Sequence, residues 1–138
     1  MNSARLHHVG FVVPSIDAGI EGFKRSLGAR WDGLIFHDPI QKVRITFIYT
    51  QCSSDACIEL VEPAAEDSPV MNFLQKGGGL HHLCYEVADL EGELKEVRAQ
   101  RGLIVKRPAP AVAFNGRRIA WVLTAQKLLL EFLEEPAK

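Results

Sequence analysis

The chain has 138 residues, with 16 basic against 17 acidic side chains, a formal net charge of −1 and 47% hydrophobic residues. That length suits one domain with a real core, and the charge balance argues against nucleic-acid or membrane-surface binding, both of which draw on a basic excess. No apolar run approaches the roughly 20 residues of a membrane span, and Met1-Asn2-Ser3-Ala4-Arg5 lacks a signal-peptide pattern, so a cytoplasmic protein is expected.

In chain order, residues 6–13 alternate and are rich in β formers, which predicts a strand. Pro14-Ser15 breaks it and Ser15 can cap a helix in which Ile16, Ile20, Phe23 and Leu27 recur at helical spacing before Gly28. Residues 31–36, 43–49 and 56–61 read as three further strands, separated by turns at Asp38-Pro39 and Cys52-Ser53-Ser54-Asp55. A connector follows, with a short helix expected at 68–75 and a flexible hinge at Gly77-Gly78-Gly79. The order then repeats: a strand at 80–87, a helix capped by Asp89 with Leu90, Leu94 and Val97 that stops at Gly102, and strands at 103–106, 117–123 and 128–133. Asn115-Gly116 reads as a hairpin turn. Three cysteines, Cys52, Cys57 and Cys84, show no metal-binding spacing, so reduced thiols are expected.

The two halves repeat in residues as well as in pattern. Leu6-His7-His8-Val9 returns as Leu80-His81-His82-Leu83, an offset of 80 − 6 = 74, and Phe11, Val13, Ile16, Ile20 and Gly28 fall on Tyr85, Val87, Leu90, Leu94 and Gly102. Ile58-Glu59-Leu60-Val61-Glu62 returns as Leu130-Glu131-Phe132-Leu133-Glu134, an offset of 131 − 59 = 72. The expected architecture is α+β: two tandem βαβββ modules, about 5–62 and 80–135 around a connector at 63–79. Together they form a single domain over 1–138, a cupped, barrel-like mixed sheet around a metal site.

Strand alternation divides the histidines. His7 and His81 share their faces with Val9 and Phe11, and with Leu83 and Tyr85, and read as packing residues. His8 and His82 lie on the smaller, more polar faces with Gly10, and with Cys84 and Glu86. Glu59 and Glu131 sit inside apolar strands, where an unpaired carboxylate costs several kcal/mol; coordination of a cation answers both. His8, Glu59, His82 and Glu131 are therefore the candidate metal ligands, set against packing histidines and outward-facing edge glutamates. An imidazole and carboxylate set without thiolate suits Co, Ni, Mn or Zn, and iron equally. Glu62, Glu134 and Glu135, at strand ends, are expected to be solvated.

These residues, with "LHHVGFVVPSID", "IELVEP", "GLHHLCYEV" and "LLLEFLE", resemble the vicinal oxygen chelate superfamily over nearly the whole chain. The nearest branch is methylmalonyl-CoA epimerase, with glyoxalase I next. The resemblance implies two βαβββ modules cupped around one divalent metal held by His8, Glu59, His82 and Glu131. It also implies a homodimer, a small-molecule substrate such as an acyl-CoA or other thioester, and proton abstraction next to a carbonyl through a metal-stabilised enolate. The chain departs from that branch at Ile45, where many epimerases carry a catalytic glutamate, and at Thr124-Ala125-Gln126-Lys127, which replaces a substrate-positioning loop.

The candidate bases are then Glu131 and Glu59, as the likeness to glyoxalase I suggests, and Glu86. Gln41, Tyr49 and Asn115 are open to substrate-orienting or to loop and core roles. Lys42, Arg44, Lys106, Arg107, Arg117 and Arg118 read either as a solvated basic face or as a clasp for an anionic substrate. A glyoxalase-type lyase and a non-enzymatic bleomycin-resistance-like binding protein are the alternatives to an epimerase. An extradiol dioxygenase fits less well, because Glu59 exceeds its two-His, one-carboxylate set.

Overall fold

The computed structural model describes residues 4–138. Strand β1 (Arg5–Val12) leads into helix α1 (Ile16–Leu27) and strands β2 (Arg30–Asp38), β3 (Val43–Tyr49) and β4 (Cys57–Pro63). A short helix α2 (Met71–Gln75) precedes β5 (Gly79–Val87), helix α3 (Leu90–Ala99) and strands β6 (Leu103–Pro110), β7 (Arg118–Leu123) and β8 (Leu129–Glu134). The class is mixed α+β, and the βαβββ order occurs in both halves as the sequence predicts. No helix among the described residues is long and apolar enough to cross a membrane.

The first compact unit is His8–His81. Its strand order is β2-β3-β4-β1, with β2, β3 and β4 antiparallel and β1 parallel to β4. Ser15 caps α1 as expected: its Oγ accepts from the amide of Ala18 at 3.1 Å, while Asp17 and Lys24 and Arg25 complement the helix dipole at the two ends. Gly28 ends the helix in the left-handed region at φ 59. Ile16 and Ile20 press onto Val13, Ile48 and Leu60, with Phe11, Phe23 and Trp31 at the margin.

The second unit is His82–Lys138 with the residues up to His7. Its strand order is β5-β8-β7-β6, with β5 parallel to β8 and the remaining pairs antiparallel. Asp89 Oδ1 caps α3 by accepting from the amide of Gly92 at 3.0 Å. Leu90 and Leu94 pack with Val87, Ala120, Val122, Leu130 and Phe132. The unit boundaries fall inside β1 and β5, not at the connector. Ala4 joins the core of this second unit, whereas His81 stacks edge-on with Phe73 of the first at 4.8 Å.

Four local expectations change. The connector helix begins at Met71, because Pro69 disfavours helical backbone at Ser68, whose carbonyl instead accepts from Met71. Strand β6 continues past Lys106 to Pro110; as the outermost strand of its unit it tolerates Pro108 and Pro110, which cannot donate to a ladder. The glycine triplet is more than a hinge: all three residues have positive φ, and a Cβ on Gly78 would lie 2.8 Å from the carbonyl oxygen of Val12. Helix α3 stops at Ala99, with Arg101 in the left-handed region at φ 67. Gly102 is needed for a different reason, since its Cβ would meet Val97 Cγ1 at 2.5 Å.

Candidate functional site

Each unit builds the same His–Glu pair on two parallel strands. In the first, Glu59 on β4 is in register with Gly10, two residues beyond His8 on β1. In the second, Glu131 on β8 is in register with Cys84, two residues beyond His82 on β5. That diagonal brings His8 Nε2 to 3.5 Å from Glu59 Oε2 and His82 Nε2 to 3.6 Å from Glu131 Oε1. All four residues are buried, at 0%, 3%, 2% and 3% exposure respectively, so the outward-facing reading of the glutamates does not hold.

An aromatic ring backs each pair. Phe47 on β3 is the register partner of Glu59 and meets His8 edge-on at 5.5 Å. Trp121 on β7 is the register partner of Glu131 and meets His82 edge-on at 4.6 Å. Neither ring stands out in the sequence, although they obey the same offset, 121 − 47 = 74. Ile45 and Ile119 follow them at that offset, both buried, and by alternation each shares its face with the ring two residues on. Cys57 is in register with His8. Burial pushes its thiol pKa up, against an opposing pull from His8. No disulfide joins Cys52, Cys57 or Cys84 among the described residues.

The donor set fits a divalent cation. The two N···O separations exceed the ~2.7–2.9 Å of a charge-assisted hydrogen bond. They lie just above the ~3.4 Å expected between nitrogen and oxygen ligands at about 2.1 Å from one tetrahedral ion. Two carboxylates and two imidazoles without thiolate, sealed from water, match borderline metals.

The other candidates lie elsewhere in the network. Glu86 binds both Arg5, at 3.0 Å, and Arg117. Burial raises its carboxyl pKa, but hydrogen bonds and charge from the two guanidinium groups outweigh that and hold it below the ordinary value. A group so held anchors strands and is a poor proton acceptor near neutrality. Glu62 is not simply solvated: it accepts from the Ile16 amide and from Arg44, both at 2.8 Å, and so ties β4 to the start of α1. Glu134 likewise pairs with Arg118, which also reaches Glu91 on α3 at 2.8 Å. Arg44, Arg117 and Arg118 are thus engaged by carboxylates, and Lys42 by Asp67. Gln41 donates to Asp38 in a tight turn, and Asn115 takes the left-handed turn position.

Residues 7–121 match the Glyoxalase/Bleomycin resistance protein/Dioxygenase superfamily, and the chain belongs to it. It is 30% identical over 120 residues to the ethylmalonyl-CoA/methylmalonyl-CoA epimerase of Cereibacter sphaeroides, covering 86% of this chain and 87% of that protein. Among solved structures, methylmalonyl-CoA epimerase from Mycobacterium tuberculosis superposes with a TM-score of 0.81 at 29% identity, over 96% of this chain and 88% of the other. A variant of the Streptomyces coelicolor methylmalonyl-CoA epimerase in complex with 2-nitronate-propionyl-CoA gives 0.80 at 25% identity, over 96% and 98%.

Proposed function

We propose that this chain is an isomerase that epimerises the carbon next to the carbonyl of an acyl-CoA or similar thioester. In this reading one divalent cation, Co, Ni, Mn or Zn, is held jointly by His8, Glu59, His82 and Glu131. The observation that carries it is the duplicated, buried His–Glu pair, built on the same strand diagonal in both halves. Kinship with methylmalonyl-CoA epimerases supports the substrate class. Such a cation polarises a carbonyl oxygen and stabilises the negative charge that grows on it.

The residues divide the remaining work. Phe47 and Trp121 back the imidazole rings and exclude water from them. Ile45 and Ile119 place hydrocarbon at matching positions of both halves, so neither can move a proton. A carboxylate of Glu131 or Glu59 would then take the proton from one face of the carbon, and the other, carrying a proton, would return one to the opposite face, which inverts the centre. Ile45 also favours a second reading, a glyoxalase-type lyase that isomerises a thiol–aldehyde adduct with the same carboxylates.

Deuterium wash-in at the 2-position of a methylmalonyl thioester in heavy water tests the proposal. Exchange with loss of stereochemistry is expected. Absence of exchange, with isomerisation of the hemithioacetal of glutathione and methylglyoxal, assigns the lyase activity. Absence of both removes the enzymatic reading.

A further inference from the structure

We infer that Lys106 receives the anionic group of the substrate, an inference that rests on the thioester reading above. Three adjacent strands of the second unit put Lys106, Trp121 and Glu131 in one line of register: Lys106 pairs with Trp121, and Trp121 with Glu131. Paired residues of antiparallel strands share a face, so the ammonium stem leaves the sheet on the side that carries Glu131. Two strand spacings separate the two backbones, about 10 Å, with Trp121 on the strand between them, a span that a flexible lysine stem can reach over toward an acyl group beside Glu131.

A register shift makes this placement. Ile104 pairs with Val122 and packs toward the helix side, while Lys106 pairs with the very next residue, Trp121. In an unbroken strand, residues 104 and 106 would share a face. The bulge turns Lys106 to the opposite face, which is the known structural use of bulges beside functional sites.

Lys106 is also a basic residue of this region open to a ligand, half-buried where its neighbour Arg107 is exposed. Arg5 and Arg117 are taken by Glu86, and Arg118 by Glu134 and Glu91. Lys106 is half-buried and meets no carboxylate in any ion pair of the described residues. The equivalent position of the first half, 106 − 74 = 32, holds Asp32, whose carboxylate is turned back onto the Leu34 amide at 3.0 Å. The halves therefore differ in sign where they match in ligands, and the second is the one that attracts an anion. The anion is either a carboxylate on the acyl group or a phosphate of its carrier.

Calorimetry on metal-loaded protein separates these sources. Three probes are used: a carboxyl-bearing thioether analogue of a methylmalonyl thioester on a phosphate-free pantetheine carrier, the same analogue without its carboxyl group, and coenzyme A. Lys106→Met is expected to weaken at least one anionic probe about tenfold or more, to leave the uncharged analogue unchanged, and to be rescued by Lys106→Arg. Loss confined to the first probe assigns the acyl carboxylate; loss confined to coenzyme A assigns the phosphate. Unchanged affinity for both anionic probes, equal loss for the uncharged analogue, or no binding by the unsubstituted protein overturns the inference. Failure of deuterium wash-in with the Lys106 contrast intact removes the epimerase reading alone.

Discussion

The two halves agree at their buried His–Glu pairs and disagree around them. His8 with Glu59 and His82 with Glu131 follow one diagonal between parallel strands, each backed by an aromatic ring. Yet Gly28 closes α1 by its left-handed backbone, while its counterpart Gly102 serves close packing against Val97. Val12 and Val43 of the first half correspond to Glu86 and Arg117 of the second, an apolar position pair replaced by an ion pair. Duplication preserved the buried His–Glu pair in each half and released what only holds strands to helices.

The largest break in that comparison comes from the ligands. Glu59→Gln and Glu131→Gln are each expected to lower metal affinity by more than about 100-fold, since ligand loss exceeds the 10–100-fold cost of losing a supporting group. Equal losses in the two variants, read by competition with a chelating dye, support joint binding. A loss in one and none in the other breaks the equivalence.

Core truncation comes next. Phe132 and Leu60 occupy matching positions and are both buried, at 1% and 0% exposure. Phe132→Ala should cost about 3–5 kcal/mol and Leu60→Ala about 2–5 kcal/mol, measured by urea denaturation. A cost below about 1 kcal/mol at either site would contradict the packing described.

Smaller effects separate the strand-to-helix ties. Glu62, 12% exposed, holds the α1 amide directly, and Glu62→Gln should cost about 1–2 kcal/mol. Glu134, at 31% exposure, acts through Arg118, and its Gln variant should cost under about 1 kcal/mol. The reverse ranking would show that the indirect tie is the stronger.

The smallest effect is a pH dependence carried by Glu86 of the second half. The folded pKa of Glu86 lies below its unfolded value. Its stabilisation is therefore present above the unfolded value, and is lost as pH falls through the folded one. Glu86→Gln should be less stable than the unsubstituted protein at pH 7, with the gap closing in acid. A gap that persists at pH 3 would assign the loss to packing and not to charge.

Most of the fold was legible because duplication doubled every signal. Each cap, Ser15 or Asp89, precedes an apolar helical stripe, and each His strand has a Glu strand as its echo. The burial of Glu59 and Glu131 was legible because a carboxylate between leucines or isoleucines stands in an apolar strand. Long-range pairing was not legible. Nothing local to Glu62 announces that it will hold the Ile16 amide, 46 residues away, nor to Glu86 that Arg5 and Arg117 will take it. The bulge that turns Lys106 is equally silent, because the apparent break at Arg107-Pro108 ended the predicted strand before its consequence showed.

Metal content measured against protein concentration, on protein purified without a histidine tag, tests the proposal of one shared site most directly. One divalent ion per chain, abolished by either His8→Ala or His82→Ala, is the expected result. Two ions per chain, each surviving loss of the other half's histidine, would mean that the pairs bind separately, and no ion under metal-replete conditions would mean that they do not bind metal.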